Sequence, residues 1–538
     1  MALALMPVLS LPAQLLIADP DTLDFGVVTE TQPVQRWLHF SNPHPYDVAV
    51  AALRLYPIYG TDAFTADRDT LFCAAGGTCS VMLTMQVRHN IRHASALLLV
   101  APHLGSQSIH LRGQGRYTQT YYSSTENLEE QALKDALKTR LGQGFIALSY
   151  NQARDEMFMS IDNQRLNGQQ APVNTLEGVY TGFTVTGYTS RSDAQNQGMN
   201  TEHTYPQSFF NEQLPMRADL FHLFPTEIQA NATRANLPFG TVSNPTWQQG
   251  GSKMGNGVFE PRDTHKGPVA RAMFYFVLRY QNYQQFLNGQ EAVLRQWHSQ
   301  YPPTAVEQRR NADIAQVQGN RNPLIDYPQF IERMTSISSA TSTAPDRYAL
   351  DRSHDSIDFG TVATGAAAHF YLTFVNYGNR SVTIDNLSLS DSRLRLADSA
   401  GFTILPGTTR QLDLLLEAPT ADTLTATLRY TSSLPGSGTQ VLPVLAVIEG
   451  ANAIPAPWLP DLRVSYDATA QRLDLTTTQP LPDSLPLELL TTSGQRVWHT
   501  TLRAGQRSLP LTSLPAGIYL LRLGDDRQQL TRKVYIGF

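Results

Sequence analysis

The sequence predicts a multidomain chain: a central α+β domain flanked by all-β sandwiches, with a further small β-sandwich at the C-terminus. Three observations predict it. An internal repeat brackets the middle of the chain, helical periodicity is confined to that middle, and the last stretch is a series of short strand-like runs. A chain of 538 residues exceeds what one hydrophobic core organises, so several domains are expected. Hydrophobic residues make up 41% and charged residues 16%, with 35 Gly and 33 Pro as punctuation, which fits globular, β-rich matter and excludes a disordered chain.

The repeat comes first. Asp21–Val28 recurs as Asp355–Val362, and the agreement continues from Phe25 to Phe40 and Asn42 in one copy and from Phe359 to Phe374 and Asn376 in the other. Between these anchors apolar and polar residues alternate, as in strands with one face in a core. Each copy runs about 100 residues, the size and rhythm of an immunoglobulin-like sandwich, so residues 18–117 and 352–450 are expected to be Ig-like modules. Phe25 and Phe359 are read as core anchors. Residues 335–351, rich in Ser, Thr and Ala, read as a linker, and Pro455, Pro457 and Pro460 mark a second boundary.

The C-terminal segment 458–538 again reads as strands, among them Arg472 onward, Leu487 onward, Arg496 onward and Ile518 onward. Leu514 to Leu523, followed by a polar turn and a basic closing strand, resembles the C-terminal sorting domain of the type IX secretion system. The match departs at the entry, where Leu459-Pro460-Asp461-Leu462 stands in place of the usual Pro-Asn-Pro. The resemblance implies export through the outer membrane by that machinery, and a secreted or cell-surface location.

At the other end, residues 1–17 are apolar, uncharged and interrupted by Pro7 and Pro12. They form an apolar lead-in or a partial signal peptide lacking its usual basic start. No segment has the length and hydropathy of a membrane-spanning helix. Cys73 and Cys79 can close a small disulfide loop in an oxidising compartment or stand as two reduced thiols. Neither has the surroundings of a nucleophile, and ligands at usable spacing are too few to point to a zinc site.

Residues 119–334 differ in texture. Leu128, Leu133, Leu137 and Leu141 fall at helical spacing, Val269 to Tyr280 is a helical aromatic run, and Ala305 to Gln318 offers another helix. This segment holds 18 Lys and Arg against 20 Asp and Glu, a balance of −2, so a generally basic surface does not mark it as a binder of polyanions. Between the helices lie Glu202 and His203 ahead of Pro206, then Asp219 to Thr226, then Asn231 to Asn236. Neighbours on a strand face opposite ways, so Glu202 and His203 would serve different partners. An imidazole near pKa ~6.5 can take a proton from water at neutral pH. A carboxylate and an amide oxygen suit a hard cation such as Mg²⁺.

Those motifs, together with Tyr121-Tyr122, Phe259-Glu260-Pro261, Lys266 to Phe276 and Gln318 to Asp326, resemble the bacterial endonuclease I family of the ββα-metal (His-Me finger) class across nearly all of 119–334. The resemblance implies a phosphodiester hydrolase acting on DNA, or on RNA, without sequence specificity, with 5′-phosphate and 3′-hydroxyl products. It implies His203 as general base, and Glu202 and Asn231 as ligands of one divalent ion, Mg²⁺ or else Mn²⁺ or Ca²⁺. The family also uses an arginine on the cleaved phosphate; Arg217, Arg234 and Arg271 are the candidates. Asp219, His222, Asn236, Glu260, Asn320 and Asn322 are read as structural hydrogen-bonding residues. A monomer is expected. The alternative is a surface binding or adhesion protein whose nuclease fold is a spent scaffold.

Overall fold

The structure is a computed structural model that describes residues 14–58, 62–281, 284–449, 462–467, 469–477, 484–492, 494–503, 506–511, 514–524 and 529–536. The apolar start up to residue 13 and the proline boundary at 455–460 lie outside the described residues. The chain divides into two compact units. One holds residues 1–359, 369–416 and 425–445; the other holds 360–368, 417–424 and 446–538.

In the first unit the opening repeat is a two-layer β structure. One sheet orders Ile17–Asp19, Val34–Ser41, Thr78–Met85 and Phe64–Ala66, and the facing sheet contains Ala52–Ile58, Arg92–Ala101 and Gly105–Arg116 with Thr22–Thr29 alongside. Leu23, Phe25, Leu38, Phe40, Leu83, Leu97 and Leu99 fill the space between, as strict alternation requires. The repeated motif explains itself locally. Phe25 enters the core at 2% exposure, Asp24 Oδ1 accepts the Gly26 N–H at 2.8 Å, and Gly26 takes φ +70° where the register with Arg112–Gln114 shifts. Phe359 is buried in the same way, and Gly360 again has φ +64°. Asn42 and Asn376 both turn their amides onto one loop carbonyl and one at a strand end, Tyr46 and Cys73 in one copy and Arg380 and Ile404 in the other. Cys73 and Cys79 are disulfide-paired.

The two copies share one sheet. The strand Gly105–Arg116 runs parallel to Ala367–Asn376 with Gly105 opposite Tyr371, and a side chain at Gly105 would strike the Tyr371 backbone. Ser106 Oγ donates to Thr373 Oγ1 at 2.8 Å across the same junction.

The α+β domain folds around the helix Asp263–Tyr280, whose residues Val269 to Leu278 are all buried. Helices Glu130–Gly142, Glu291–Gln300 and Ala305–Gln318 flank it, and Leu133, Leu137 and Leu141 are the buried stripe of the first. The last begins on a Thr304 cap and ends at Gly319 with φ +80°. This domain also docks on the first sandwich: Tyr117 stacks on Tyr327 at 3.8 Å, and Arg333 donates to Asn90 at 2.6 Å.

The segment 335–351 differs from a plain linker. Glu291 accepts N–H groups from Ile337 and Ser338, Lys134 Nζ donates to the Ser339 carbonyl at 2.6 Å, and Ile337 is fully buried. Its Ser-rich composition mimics a linker because those polar groups are satisfied by a buried carboxylate and ammonium rather than by water. Leu350–Arg352 then pairs with Ala367–Asn376.

In the second unit, the C-terminal region has a three-stranded sheet of Arg463–Asp467, Arg472–Thr476 and Ser508–Pro510. A four-stranded sheet orders Arg496–Arg503, Ser484–Thr491, Gly517–Gly524 and Gln529–Ile536. Leu473, Leu475, Leu487, Leu489, Leu521 and Leu523 form its core. Among the described residues no helix is long and apolar enough to cross a membrane.

Candidate active site

Met199–His203 and Leu223–Glu227 form an antiparallel hairpin with Glu202 opposite Phe224 and His203 opposite Leu223. The helix Ile228–Arg234 follows without a break. Two of its side chains, three residues apart and so on one face, fasten it beneath the first strand. Asn231 Nδ2 donates to the Thr201 carbonyl at 3.3 Å, and Arg234 donates to the carbonyls of His203 at 3.2 Å and Thr204 at 2.7 Å. Two strands and one helix thus bring Glu202, His203 and Asn231 together.

Glu202 points into the domain at 1% exposure. Its Oε1 accepts the Tyr180 hydroxyl at 2.7 Å and pairs with Arg234 at 3.3 Å. Burial raises its pKa, while the Arg234 charge and the Tyr180 hydrogen bond act the other way. Arg234 is itself buried and lies 4.6 Å over the Phe239 ring.

His203 faces the opposite side, as adjacent strand residues must. Its Nε2 sits 3.2 Å from the Arg217 carbonyl. A carbonyl only accepts, so Nε2 carries the proton and Nδ1 holds the lone pair. Burial, then the neighbouring His222, hold its pKa well below the usual imidazole value, so the ring is neutral at neutral pH. The Tyr150 ring lies 5.6 Å away, and the guanidinium groups of Arg154 and Arg217 lie 4.2 and 4.4 Å over that ring.

A model of the endonuclease I family matches residues 130–329. An extracellular ribonuclease of Bacillus amyloliquefaciens is 30% identical over 239 residues, 40% of this chain and 78% of the relative. The chain belongs to the endonuclease I family. An extracellular deoxyribonuclease of Aeromonas hydrophila is 30% identical over 165 residues, 26% of this chain and 71% of the relative. Among solved structures, a PapD-like domain of human CEP192 is 12% identical, covers 20% of this chain and 91% of that one, and has a TM-score of 0.18. A score that low carries no argument about the flanking sandwiches. Membership places this endonuclease I chain among nucleases, hydrolases of nucleic-acid backbones, and implies metal dependence in general.

The remaining sequence-derived candidates of the endonuclease I domain sort by their partners. Arg271 is buried and held bidentately by Glu307, both contacts at 2.6 Å, and donates to the Tyr301 carbonyl. Arg234 is buried against Glu202. Arg217 alone of the three has a substantially exposed side chain, 32%, with a surface ion pair to Glu212 at 2.9 Å. Asp219 accepts from Tyr275, Tyr280, Gln318 and the Phe221 N–H, and His222 lies on the Met216 carbonyl. Glu260 accepts from Lys266 and the Val242 N–H, Asn320 donates to Tyr275 and Leu141, and Asn322 caps a turn at Leu324. Asn236 is exposed on a cavity of about 590 Å³ with Tyr205 and Phe239.

Among the described residues no group of three or more His, Cys, Asp or Glu side chains converges to hold a metal. Glu202 and Asn231 are a different donor set, one carboxylate and one amide. Because Asn231 spends its Nδ2 on Thr201, its amide oxygen is the atom left to accept, and oxygen donors of this kind fit a hard divalent ion. Sequence reading missed Tyr180, Tyr150 and Arg154. The i, i+4 spacing of Tyr150 and Arg154 was a usable signal; nothing in the sequence near Tyr180 announces its bond to Glu202.

Proposed function

We propose that this chain is a secreted or surface-attached, metal-dependent endonuclease that cleaves DNA or RNA without sequence specificity. The observation that carries the reading is the hairpin and helix that bring Glu202, His203 and Asn231 onto one short stretch of fold while leaving the His203 Nδ1 unprotonated. In this reading Nδ1 takes a proton from water, the water oxygen attacks phosphorus, the bond to the 3′-oxygen breaks, and the departing 3′-oxyanion takes a proton from a second water, giving 3′-hydroxyl and 5′-phosphate ends. Arg217, half-exposed beside His203, holds the cleaved phosphate. A divalent ion such as Mg²⁺, Mn²⁺ or Ca²⁺ held by Glu202 and Asn231 would offset charge developing on the phosphate.

Relatives named as ribonuclease and as deoxyribonuclease agree with recognition of the shared backbone rather than of bases or the 2′-hydroxyl. Relatives with extracellular and periplasmic names support export. The C-terminal strands that include Gly517–Gly524 are assigned to sorting by the type IX secretion machinery. Cleavage of supercoiled plasmid and of a long RNA, with Mg²⁺ and then with EDTA, tests the activity. Cleavage that stops in EDTA and returns with excess Mg²⁺ is expected; undiminished cleavage in EDTA removes the metal role of Glu202 and Asn231.

A further inference from the structure

The site is lined on the His203 side by more positive charge than the reaction assigned to it uses. Arg154 and Arg217 both lie over the Tyr150 ring, and Arg191 reaches Asn151, the same side chain that Arg154 engages at 2.8 Å. Arg217 has Glu212 and Arg191 has Asp155, each within 2.9 Å. Arg154 has only neutral partners: among the described residues no carboxylate lies within ion-pair distance of it, and its Nε is buried without a hydrogen-bond partner. Its pKa is lowered, by burial first, with the charges of Arg191 and Arg217 adding to the effect and Tyr150 and Asp155 opposing it. With Glu212 on Arg217 and Asp155 on Arg191, Arg154 is the one of the three guanidinium groups left without a carboxylate at ion-pair distance among the described residues, so an anion reaching it meets a net positive site.

We propose that Arg154, propped on Tyr150 beside Arg217, is a second phosphate-binding residue that grips the substrate strand next to the phosphate being cleaved. This rests on the nuclease reading above. The geometry supports it in three ways. Tyr150 is a rigid, half-buried spacer whose ring is 5.6 Å from the His203 ring, so a phosphate at Arg154 lies close to the reacting one. Both guanidinium groups sit within 4.4 Å of one ring centroid, which confines the two cations to a short stretch of strand. The flat guanidinium can stack on the ring and still offer N–H donors to phosphate oxygens, which lysine does not reproduce. A guanidinium that grips a phosphate contributes affinity without sequence preference.

The test uses the full chain carrying His203→Ala, which allows binding without cleavage, and a fluorescent 30-base-pair DNA duplex in Mg²⁺. Affinity is measured by anisotropy over a series of salt concentrations. Adding Arg154→Gln is expected to reduce the slope of log K against log salt by about 0.9, the loss of one phosphate contact. In the cleavage-competent chain Arg154→Gln raises KM several-fold and leaves kcat nearly unchanged. Arg154→Lys keeps the salt slope but weakens binding, and serves as the readout if the glutamine variant melts early. An unchanged slope in Arg154→Gln, or an Arg154→Lys protein that binds as tightly as its parent, overturns the inference alone. Absence of any salt-sensitive DNA binding by the His203→Ala chain overturns it together with the nuclease reading.

Discussion

The hairpin around His203 and the helix around His298 set the same side chain in the same kind of hydrogen bond. His203 Nε2 lies 3.2 Å from the Arg217 carbonyl, and His298 Nε2 lies 2.9 Å from the Pro328 carbonyl. Burial depresses both rings, His298 to about 4. The surroundings differ. His298 Nδ1 is buried without a partner and its ring meets Phe274 edge-on at 6.2 Å. Around His203, by contrast, stand half-exposed arginines on one side and, through the strand's alternation, Glu202 with the Asn231 helix on the other. A neutral imidazole of fixed tautomer is therefore a common product of burial. The proposed chemistry rests on a second feature, charged groups bordering the imidazole on the side of the half-exposed arginines.

The sharpest way to break this comparison is to remove each ring. His203→Ala is expected to lower the plasmid-nicking rate per folded molecule by roughly 10²–10⁴-fold and, like the removal of His298, to cost about 1–3 kcal/mol of stability through the lost hydrogen bond to the Arg217 carbonyl. His298→Ala is expected to keep its rate per folded molecule and to lose about 1–3 kcal/mol of stability, since it strips a buried hydrogen bond. Nicking at the wild-type rate in His203→Ala would erase the distinction.

Arg234 probes the other face of the same strand. Arg234→Met would leave Glu202 buried without its cation and free the carbonyls of His203 and Thr204. A loss of about 3–5 kcal/mol in urea unfolding is expected. A melting curve like that of the parent would mean that Tyr180 alone satisfies Glu202.

How much of this was legible in the sequence follows from what each feature depends on. The repeat marked two β-rich regions because Phe25 and Phe359 obey alternation, and Gly26 and Gly360 hold the same positive φ. The helix Ala305–Gln318 was legible to its ends because Thr304 and Gly319 are local signals. Glu202, His203 and Asn231 could be named from the sequence, but their surroundings, Asn231 on the Thr201 carbonyl and Glu202 against Arg234, come from the hairpin and helix. The arginines were not separable by sequence: Arg271 finds Glu307 36 positions away and Arg234 finds Glu202 32 positions away, and such pairings are decided by tertiary packing. The Ser-rich stretch after Met334 misled for the same reason, since Glu291 lies far off in the chain.

The last expected effect concerns acid. In the unfolded chain His298 titrates near its usual value of about 6.5; in the fold it stays neutral until about 4. Burial is the main cause, the charges of Arg271 and Arg295 add to it, and the Pro328 carbonyl and Glu332 oppose it. Below pH ~6.5 the unfolded state binds the extra proton, so stability falls as pH drops through the window from 6.5 to 4 and levels off beneath it. At 1.36 kcal/mol per pKa unit the full loss is about 3 kcal/mol. His298→Gln, which keeps an N–H donor for the Pro328 carbonyl but cannot titrate, should flatten the dependence of urea midpoint on pH across that window. His203→Gln should leave the contribution of His298 intact. A His298→Gln profile as steep as the parent's would assign the acid sensitivity to other buried groups, His93 first, whose ring is likewise pushed down to about 4 by burial.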